Sequence, residues 1–344
     1  MAPAKRPRRK AASATALLDL VTAKWIGKAI SVAAELGVPD ALADGTKSAA
    51  AIARKISGSE DGVYRLLRAL EGAGLVVERP HRRFRLTPLG SLLRRNGPQT
   101  LGGIAEFMGH NSTWLPWGEL AYSVRTGAPA FDHVFGMPVF QYLARNAEAG
   151  TIFNSAMTSL STWESAAVVA AYDFSRMGTL VDVAGGHGQL ISTILKANRK
   201  MRGILFDLPH VVAGAETVLR RLGVASRCRT VSGDFFAALP EGGDAYVMKH
   251  IVHDWDDERA VRILGNCHRA MRPGGRVLIL DTVIGSRNSG RYGKLLDLEM
   301  LVLTPHGRER TEAEFKALLK KAGLKIRRIV PTSIYLSIVE AVAI

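Results

Sequence analysis

From Leu17 to about Leu36 apolar residues recur at helical spacing, with Leu17, Leu20, Val21, Lys24 and Trp25 marking one stripe and its edge. This predicts an amphipathic helix. Two further helical patterns each follow a capping serine: Ser48 precedes AAAIARKI and Ser59 precedes EDGVYRLLRALEGAG. The period then drops to two. Leu75 and Val77, the polar turn RPHRR, and Phe84 and Leu86 predict a β-hairpin. Helix, turn, helix and wing together describe a winged-helix unit, whose second helix, roughly Glu60 to Leu70, carries Arg65 and Arg68. Such a helix can bind DNA, and it can equally serve a dimerisation module. Between about Thr100 and Ala166 no strand pattern occurs, and Phe140, Phe153 and Met157 fall in a stretch rich in aromatics and methionine, the kind of wall that packs on a flat apolar ligand. From Thr179 onward short β-rich runs (TLVDVA, MRGILFDL, RTVSGD, DAYVMKHI, RVLILDTVI and the final SIYLSIVEAVAI) alternate with helices near Gln189–Ala197, Val211–Leu222, Asp257–Met271 and Thr311–Ala322. That alternation predicts an α/β architecture with a parallel, doubly wound sheet, whose ligands sit at the carboxyl ends of the strands. The expected organisation is a tail over 1–10, a winged-helix domain over 11–99, a helical linker over 100–165 and the sheet domain over 166–344.

Composition changes this picture little. At 344 residues, with 47% apolar and 22% charged, the chain can build two full cores, and no apolar run is long enough to span a bilayer. The formal charge of +15 suggests nucleic acid, but five of the first ten residues, MAPAKRPRRK, are basic and inflate it. A solvated, disordered tail and a cytoplasmic protein are expected. Cys228 and Cys267 are the only two cysteines and form no CxxC pair, so neither a disulfide framework nor a zinc site is expected.

The candidate chemistry begins at LVDVAGGHGQL, where an apolar strand ends in a turn of small residues, from Asp182 through Ala184, Gly185, Gly186 and Gly188, and opens a helix. Small residues let a ligand approach the backbone, although the same arrangement serves nicotinamide and flavin cofactors. Asp207 ends the next strand, 22 residues after Gly185, where a carboxylate can accept both ribose hydroxyls of an adenosine. GDFF ends the third and places Asp234 and Phe235 where an adenine can be bonded and covered. KHIVHDWDDE ends the fourth. It offers His250 and His253, which face opposite ways if the strand continues through them, and Asp254 or Asp256 as a helix N-cap.

The segments LVDVAGGHG, FDLPHVV, GDFF, MKHIVHDWDDERAVRIL, RPGGRVLILDTVI and GRERTEAEF, in that order, resemble the S-adenosylmethionine-dependent small-molecule O-methyltransferases. These are typified by plant caffeic acid and isoflavone enzymes, hydroxyindole O-methyltransferase and bacterial natural-product relatives. The resemblance implies a Rossmann-like class I methyltransferase sheet behind an N-terminal, mostly helical winged-helix dimerisation domain, a homodimer formed through that domain, and S-adenosylmethionine as cofactor with no metal. It implies that Ala184 and Gly185 lie against the methionine portion, Asp207 and Leu208 against the ribose, and Asp234, Phe235 and Lys249 against the adenine. Ala184 departs from the three successive glycines usual there, and a methyl group at that position calls for negative φ. His253 is the implied general base, with Asp281 and Glu309 as the acids on its other nitrogen. Asp281 stands where the plant enzymes have Glu, a side chain shorter by about 1.3 Å. Walls from Phe140, Phe153, Met157, Met300 and Thr304 would hold a small aromatic acceptor.

An unperturbed imidazole near about 6.5 facing a phenol near about 10 leaves a gap of about 3.5 units, or about 5 kcal/mol. A concerted methyl transfer can carry that, whereas a simple alkanol lies much further off, so acidic, phenolic hydroxyls are favoured. Two other readings stay open: the same scaffold with non-methylating chemistry (hydroxylase, decarboxylase or pericyclic catalyst), and a winged-helix DNA-binding regulator. The first reading implies no nucleic-acid or membrane partner.

Overall fold

A computed structural model describes residues 13–97, 99–285 and 290–344; the basic stretch Met1 to Lys10 lies outside them. The chain divides into two compact units, Met1–His110 and Asn111–Ile344, so residues 111–165 fall in the same unit as the sheet. Among the described residues no helix is long and apolar enough to cross a membrane.

In the first unit, Ser13, Ser48 and Ser59 cap the helices Ala14–Glu35, Ala49–Lys55 and Glu60–Gly72, each hydroxyl accepting a backbone N–H of the first turn. The hairpin Val76–Arg79 and Arg83–Leu86 is joined by Lys47–Ser48 in a three-stranded sheet. Its register differs from the expected one. Val76, paired with Leu86, is buried and Val77 only half-buried, because Leu75 precedes the strand and its N–H closes the preceding helix on the Leu70 carbonyl. Ile52, Leu67 and Phe84 centre the core. Arg65 is tied one turn back to Asp61 at 2.9 Å. The stripe on the first helix stays open: Leu17, Leu20, Val21 and Trp25 are each more than half exposed.

The second unit opens with helices only, ending in the 25-residue helix Ala147–Ala171. Its sheet has seven strands: β1 Thr179–Val183, β2 Arg202–Asp207, β3 Cys228–Ser232, β4 Gly243–Lys249, β5 Met271–Asp281, β6 Leu324–Pro331 and β7 Ser337–Ala343, in the order β6-β7-β5-β4-β1-β2-β3. Strands β1 to β5 run parallel, but β7 is antiparallel to both β5 and β6. The sheet is thus the expected doubly wound one, parallel except at this end. Edge strand β6 was not foreseen because LKIRRIVP has charges where an inner strand needs apolar residues; Arg327 and Arg328 reach Glu340 on β7 at 3.2 and 2.6 Å. The helix expected over Val211–Leu222 is two short ones, Pro209–Val212 and Ala215–Arg221.

Successive residues of the inner strands feed opposite faces. Val181, Met248 and Ile279 pack under the helices Asp257–Ala270 and Glu312–Lys321, while Leu180, Val247 and Leu278 pack under Gln189–Ala197. Burial on both faces is why these strands read as continuous apolar runs. The strand order reverses between β1 and β4, and the crevice at their carboxyl ends receives both the glycine turn and the histidine segment.

Candidate active site

After β1 the chain turns on three residues of positive φ: Ala184 at 55°, Gly186 at 59° and Gly188 at 83°. The negative φ expected of Ala184 is thus corrected: the alanine is held left-handed, a conformation costing about 1–2 kcal/mol for a residue with a Cβ. A Cβ on Gly185 would meet Leu205 and the Asp182 carboxyl at 2.5–2.6 Å, so any side chain there must displace them, whereas one on Gly186 would meet nothing within 4 Å. Asp182, next to last in β1, is almost wholly buried, and among the described residues its Oδ2 has no hydrogen-bond partner. Burial pushes its carboxyl up to about 7, against the opposing pull of Lys249. Sequence reasoning treated it only as the start of the turn; an acid inside an apolar run was the available signal.

Asp207, at the end of β2, binds the turn directly: Oδ2 accepts the Gly186 N–H at 2.8 Å and Oδ1 the Leu208 N–H at 2.7 Å. Its carbonyl accepts the Gly233 N–H at 3.0 Å, which brings GDFF alongside. Asp234 accepts the Phe236 N–H at 2.8 Å, and Phe235 packs edge-on against Phe236 and Trp255. Leu208 is exposed. The structure changes the reading of Lys249: its ammonium is committed to Glu164 at 2.6 Å instead of standing free for a ligand edge.

Beyond β4 the backbone leaves the strand at once. His250 takes φ +57° and Val252–Asp254 form a 3-10 turn. The opposite-facing expectation therefore fails, and the two imidazoles stack with centroids 5.1 Å apart and planes at 27°. Asp256 caps the next helix by accepting the Arg259 N–H at 2.8 Å. His253 is buried, with Nδ1 2.7 Å from Glu309 Oε1 and Nε2 3.5 Å from Asp254 Oδ1. Burial disfavours its cation, but Asp254, the Glu309 hydrogen bond and the Asp281 charge outweigh it and raise the imidazole to about 10. Burial also lifts Asp254 to about 6.

Of the two acids expected on His253, only Glu309 is hydrogen-bonded to it. Asp281, buried at the end of β5, accepts the His250 backbone N–H through Oδ1 at 3.1 Å and leaves Oδ2 unpartnered. It acts on His253 through charge and by holding the turn, as the shorter side chain requires. Glu309 is fixed by its own N–H, which donates to Asp297 at 2.9 Å. Beside it Arg310, 1% exposed, donates to the Val252 and Trp255 carbonyls, both at 2.7 Å, and clamps the turn.

Two residues of this site were not foreseen: Arg310, which the quoted GRER contains without marking its role, and Glu164, which no sequence motif flags. Glu164 accepts from Lys249 through Oε2 and meets His250 Nε2 at 2.9 Å and the Tyr335 hydroxyl through Oε1. Burial pushes the Glu164 carboxyl up, yet His250 and Lys249 together hold it down near 2. Burial lowers His250, so its Nε2–H donates to an ionised Glu164.

The expected acceptor walls divide. Phe140 is exposed and lies edge-to-face with Phe153, with centroids at 6.4 Å; Phe153 also packs on the cluster around Phe131, and Met157 is half-buried. Met300 and Thr304 are buried, and the Thr304 hydroxyl donates to the Met300 carbonyl at 3.0 Å. On the same helix Glu299 accepts from the Trp117 indole, and burial raises its carboxyl to about 7.

Comparison with known proteins matches residues 117–325 to the O-methyltransferase domain and residues 18–96 to the O-methyltransferase dimerisation domain. The phenazine O-methyltransferase of Lysobacter antibioticus is 40% identical over 94% of this chain and 95% of its own. The 8-amino-8-demethylriboflavin N,N-dimethyltransferase of Streptomyces davaonensis is 38% identical over 89% of each chain. The crystal structure of human N-acetylserotonin methyltransferase in complex with SAM superposes with a TM-score of 0.87 at 27% identity, covering 97% of this chain and 99% of that one.

Proposed function

The chain belongs to the O-methyltransferase family, and on that premise we propose that it transfers a methyl group from S-adenosylmethionine to a phenolic or similarly acidic hydroxyl of a small aromatic metabolite, with His253 as general base. The observation that carries this reading is the buried imidazole held between Glu309 on Nδ1 and the acids Asp254 and Asp281.

The crevice at the carboxyl ends of β1 and β4 fits the cofactor. The unpartnered Asp182 Oδ2 suits a cationic amino group, the open side of Gly186 leaves room at the backbone, and the Asp207 carboxylate keeps lone pairs for two ribose hydroxyls. Asp234 and Phe235 stand ready for the adenine. Lys249 contributes charge while paired with Glu164. When bound, the cofactor supplies an electrophilic methyl group on a positively charged sulfur.

Glu309 accepts the Nδ1–H of His253, which fixes the tautomer and leaves Nε2 as the basic atom. A base raised to about 10 matches a phenol near about 10, so the gap expected for an unperturbed imidazole closes. The neutral form of His253, with Nε2 free, would take the acceptor's proton as the oxygen gains the methyl group and the sulfonium leaves as a neutral thioether. Relatives that methylate nitrogen share the scaffold, but a neutral amine attacks without prior loss of a proton and needs no base of this strength. A homodimer through the dimerisation domain would cover the apolar stripe Leu17, Leu20, Val21 and Trp25.

The test uses a panel of phenolic acceptors and mass analysis for the gain of one methylene unit. His253→Ala is expected to lower kcat by about 10²–10⁴-fold while leaving cofactor affinity within about threefold. Undiminished turnover in that variant removes His253 from the role of base, and products without the methylene gain point to non-methylating chemistry.

A further inference from the structure

We propose that the cleft also binds one divalent transition-metal ion of the zinc class, through His250, His253 and Asp281. A ring nitrogen from each histidine and a carboxylate oxygen of Asp281 all lie within 4.8 Å of one another. Each ring already has its other nitrogen fixed on a carboxylate, His250 Nε2 on Glu164 and His253 Nδ1 on Glu309. That is the arrangement by which proteins orient imidazole ligands and raise their donor strength. It leaves as donors His250 Nδ1 and, once the incoming ion displaces its proton, His253 Nε2. Among the described residues His250 Nδ1 and Asp281 Oδ2 are buried without a hydrogen-bond partner. Unsatisfied buried polar atoms are costly, and two such atoms side by side suit a ligand.

The donor set selects the ion. Two imidazoles and one carboxylate suit zinc, cobalt or iron at bond lengths of about 2.0–2.2 Å, whereas magnesium and calcium favour all-oxygen shells. Closing donors from within 4.8 Å to the roughly 3.3 Å spacing of a tetrahedral site takes side-chain rotations of about 1 Å. Acids outnumber cations around the cluster: Asp254, Asp281, Glu309 and Glu164 face it against the Lys249 ammonium and the Arg310 guanidinium. The cysteines, which argued against a zinc site, are not used by this cluster, and the absence of a metal implied by the resemblance concerns the cofactor of methyl transfer, in which the proposed ion takes no part.

Occupancy has a consequence that rests on the proposed role of His253. Coordination through Nε2 consumes the lone pair that would take the acceptor's proton, so the ion switches methyl transfer off. Binding itself does not depend on that role.

The experiment takes the full-length, tag-free chain, strips it with a chelator, and titrates zinc chloride by calorimetry and cobalt chloride by visible absorption. One ion per chain is expected. His250→Gln and Asp281→Asn should each weaken it at least tenfold, while His268→Gln, remote from the cleft and bonded to the Ala322 carbonyl, should not. Absence of saturable binding, or binding unchanged in both site variants, overturns the proposal. So does a magnesium response equal to that of zinc. Should His250→Gln not fold, cobalt-shifted histidine N–H resonances of the unaltered chain decide: two, from His250 Nε2–H and His253 Nδ1–H, support the site and none overturns it. Methyl transfer by the stripped enzyme is scored separately. Its loss should share the midpoint of zinc binding, and activity indifferent to saturating zinc overturns the switching role. A stripped enzyme that binds zinc but methylates nothing refutes the methyltransferase reading alone.

Discussion

Asp182 carries a cost that the folded chain tolerates. Its carboxyl, raised to about 7 by burial, keeps its proton between about pH 4 and pH 7 while the unfolded chain releases one. Because folding raises this acid, its contribution is unfavourable, absent below about pH 4 and complete above about pH 7, where it reaches at most about 4 kcal/mol. Asp182→Asn, of the same shape, should therefore raise thermal stability at pH 8 by about 2–4 kcal/mol, and the gain should vanish as pH falls toward 4. The same variant should bind cofactor less tightly, since it loses the carboxylate offered to a cationic amino group. A gain independent of pH in thermal unfolding would show that Asp182 is ionised throughout. Glu309 is a positioning residue. Glu309→Gln should lower kcat by about 10–100-fold with KM for the cofactor nearly unchanged, because the imidazole loses both its anchor and part of its basicity. A rise in cofactor KM without loss of kcat would place Glu309 elsewhere in the reaction. Legibility at this scale followed the motifs. His253, Asp207 and Glu309 stand out from them as candidates, but the left-handed Ala184 does not, and neither do the link from Lys249 to Glu164 and the clamp of Arg310, which depend on partners distant in the chain.

Among the elements, the segment carrying Glu309 shows how local sequence sets a side chain of the proposed site. Arg310–Thr311 pair with Val283–Ile284, and Thr311 then caps the helix Glu312–Lys321 in a capping box with Glu314. Thr311→Ala should cost about 1 kcal/mol of stability, read as an earlier midpoint in urea unfolding. A change under about 0.3 kcal/mol would mean that packing of Phe315 and Leu318, both nearly fully buried, holds that helix without its cap. Elements with strong periodicity or caps were legible: the serine-capped helices, and Gln189–Ala197, which the structure reproduces end for end. The misreadings share a cause. Edge strand β6 is solvated along one side and needs no apolar run; β7 pairs antiparallel, which alternation of strand and helix does not encode; and the register of the hairpin depends on which residue ends the helix before it.

For the molecule as a whole, the apolar stripe on the first helix points to assembly. Leu17, Leu20, Val21 and Trp25 present contiguous apolar surface on a helix inside the dimerisation domain, and burying each such side chain is worth about 1.5–3 kcal/mol. The double substitution Val21→Glu with Trp25→Glu should shift the mass measured by light scattering from that of two chains toward one. A mass unmoved by both charges would locate the interface on other helices of that domain. The sequence alone determined the order of helices and inner strands, the glycine turn with the acids behind it, and the family to which these belong, because helical period, strand burial and turn chemistry act between residues near in the chain. Only the tertiary structure decided that His250 and His253 share one side, that Glu309 and not Asp281 holds the imidazole, and that Glu164 gathers Lys249, His250 and Tyr335. Those outcomes turn on a hydrogen bond or a charge between residues dozens of positions apart. No local pattern records them, and the folded chain settles them by which buried polar groups it can satisfy.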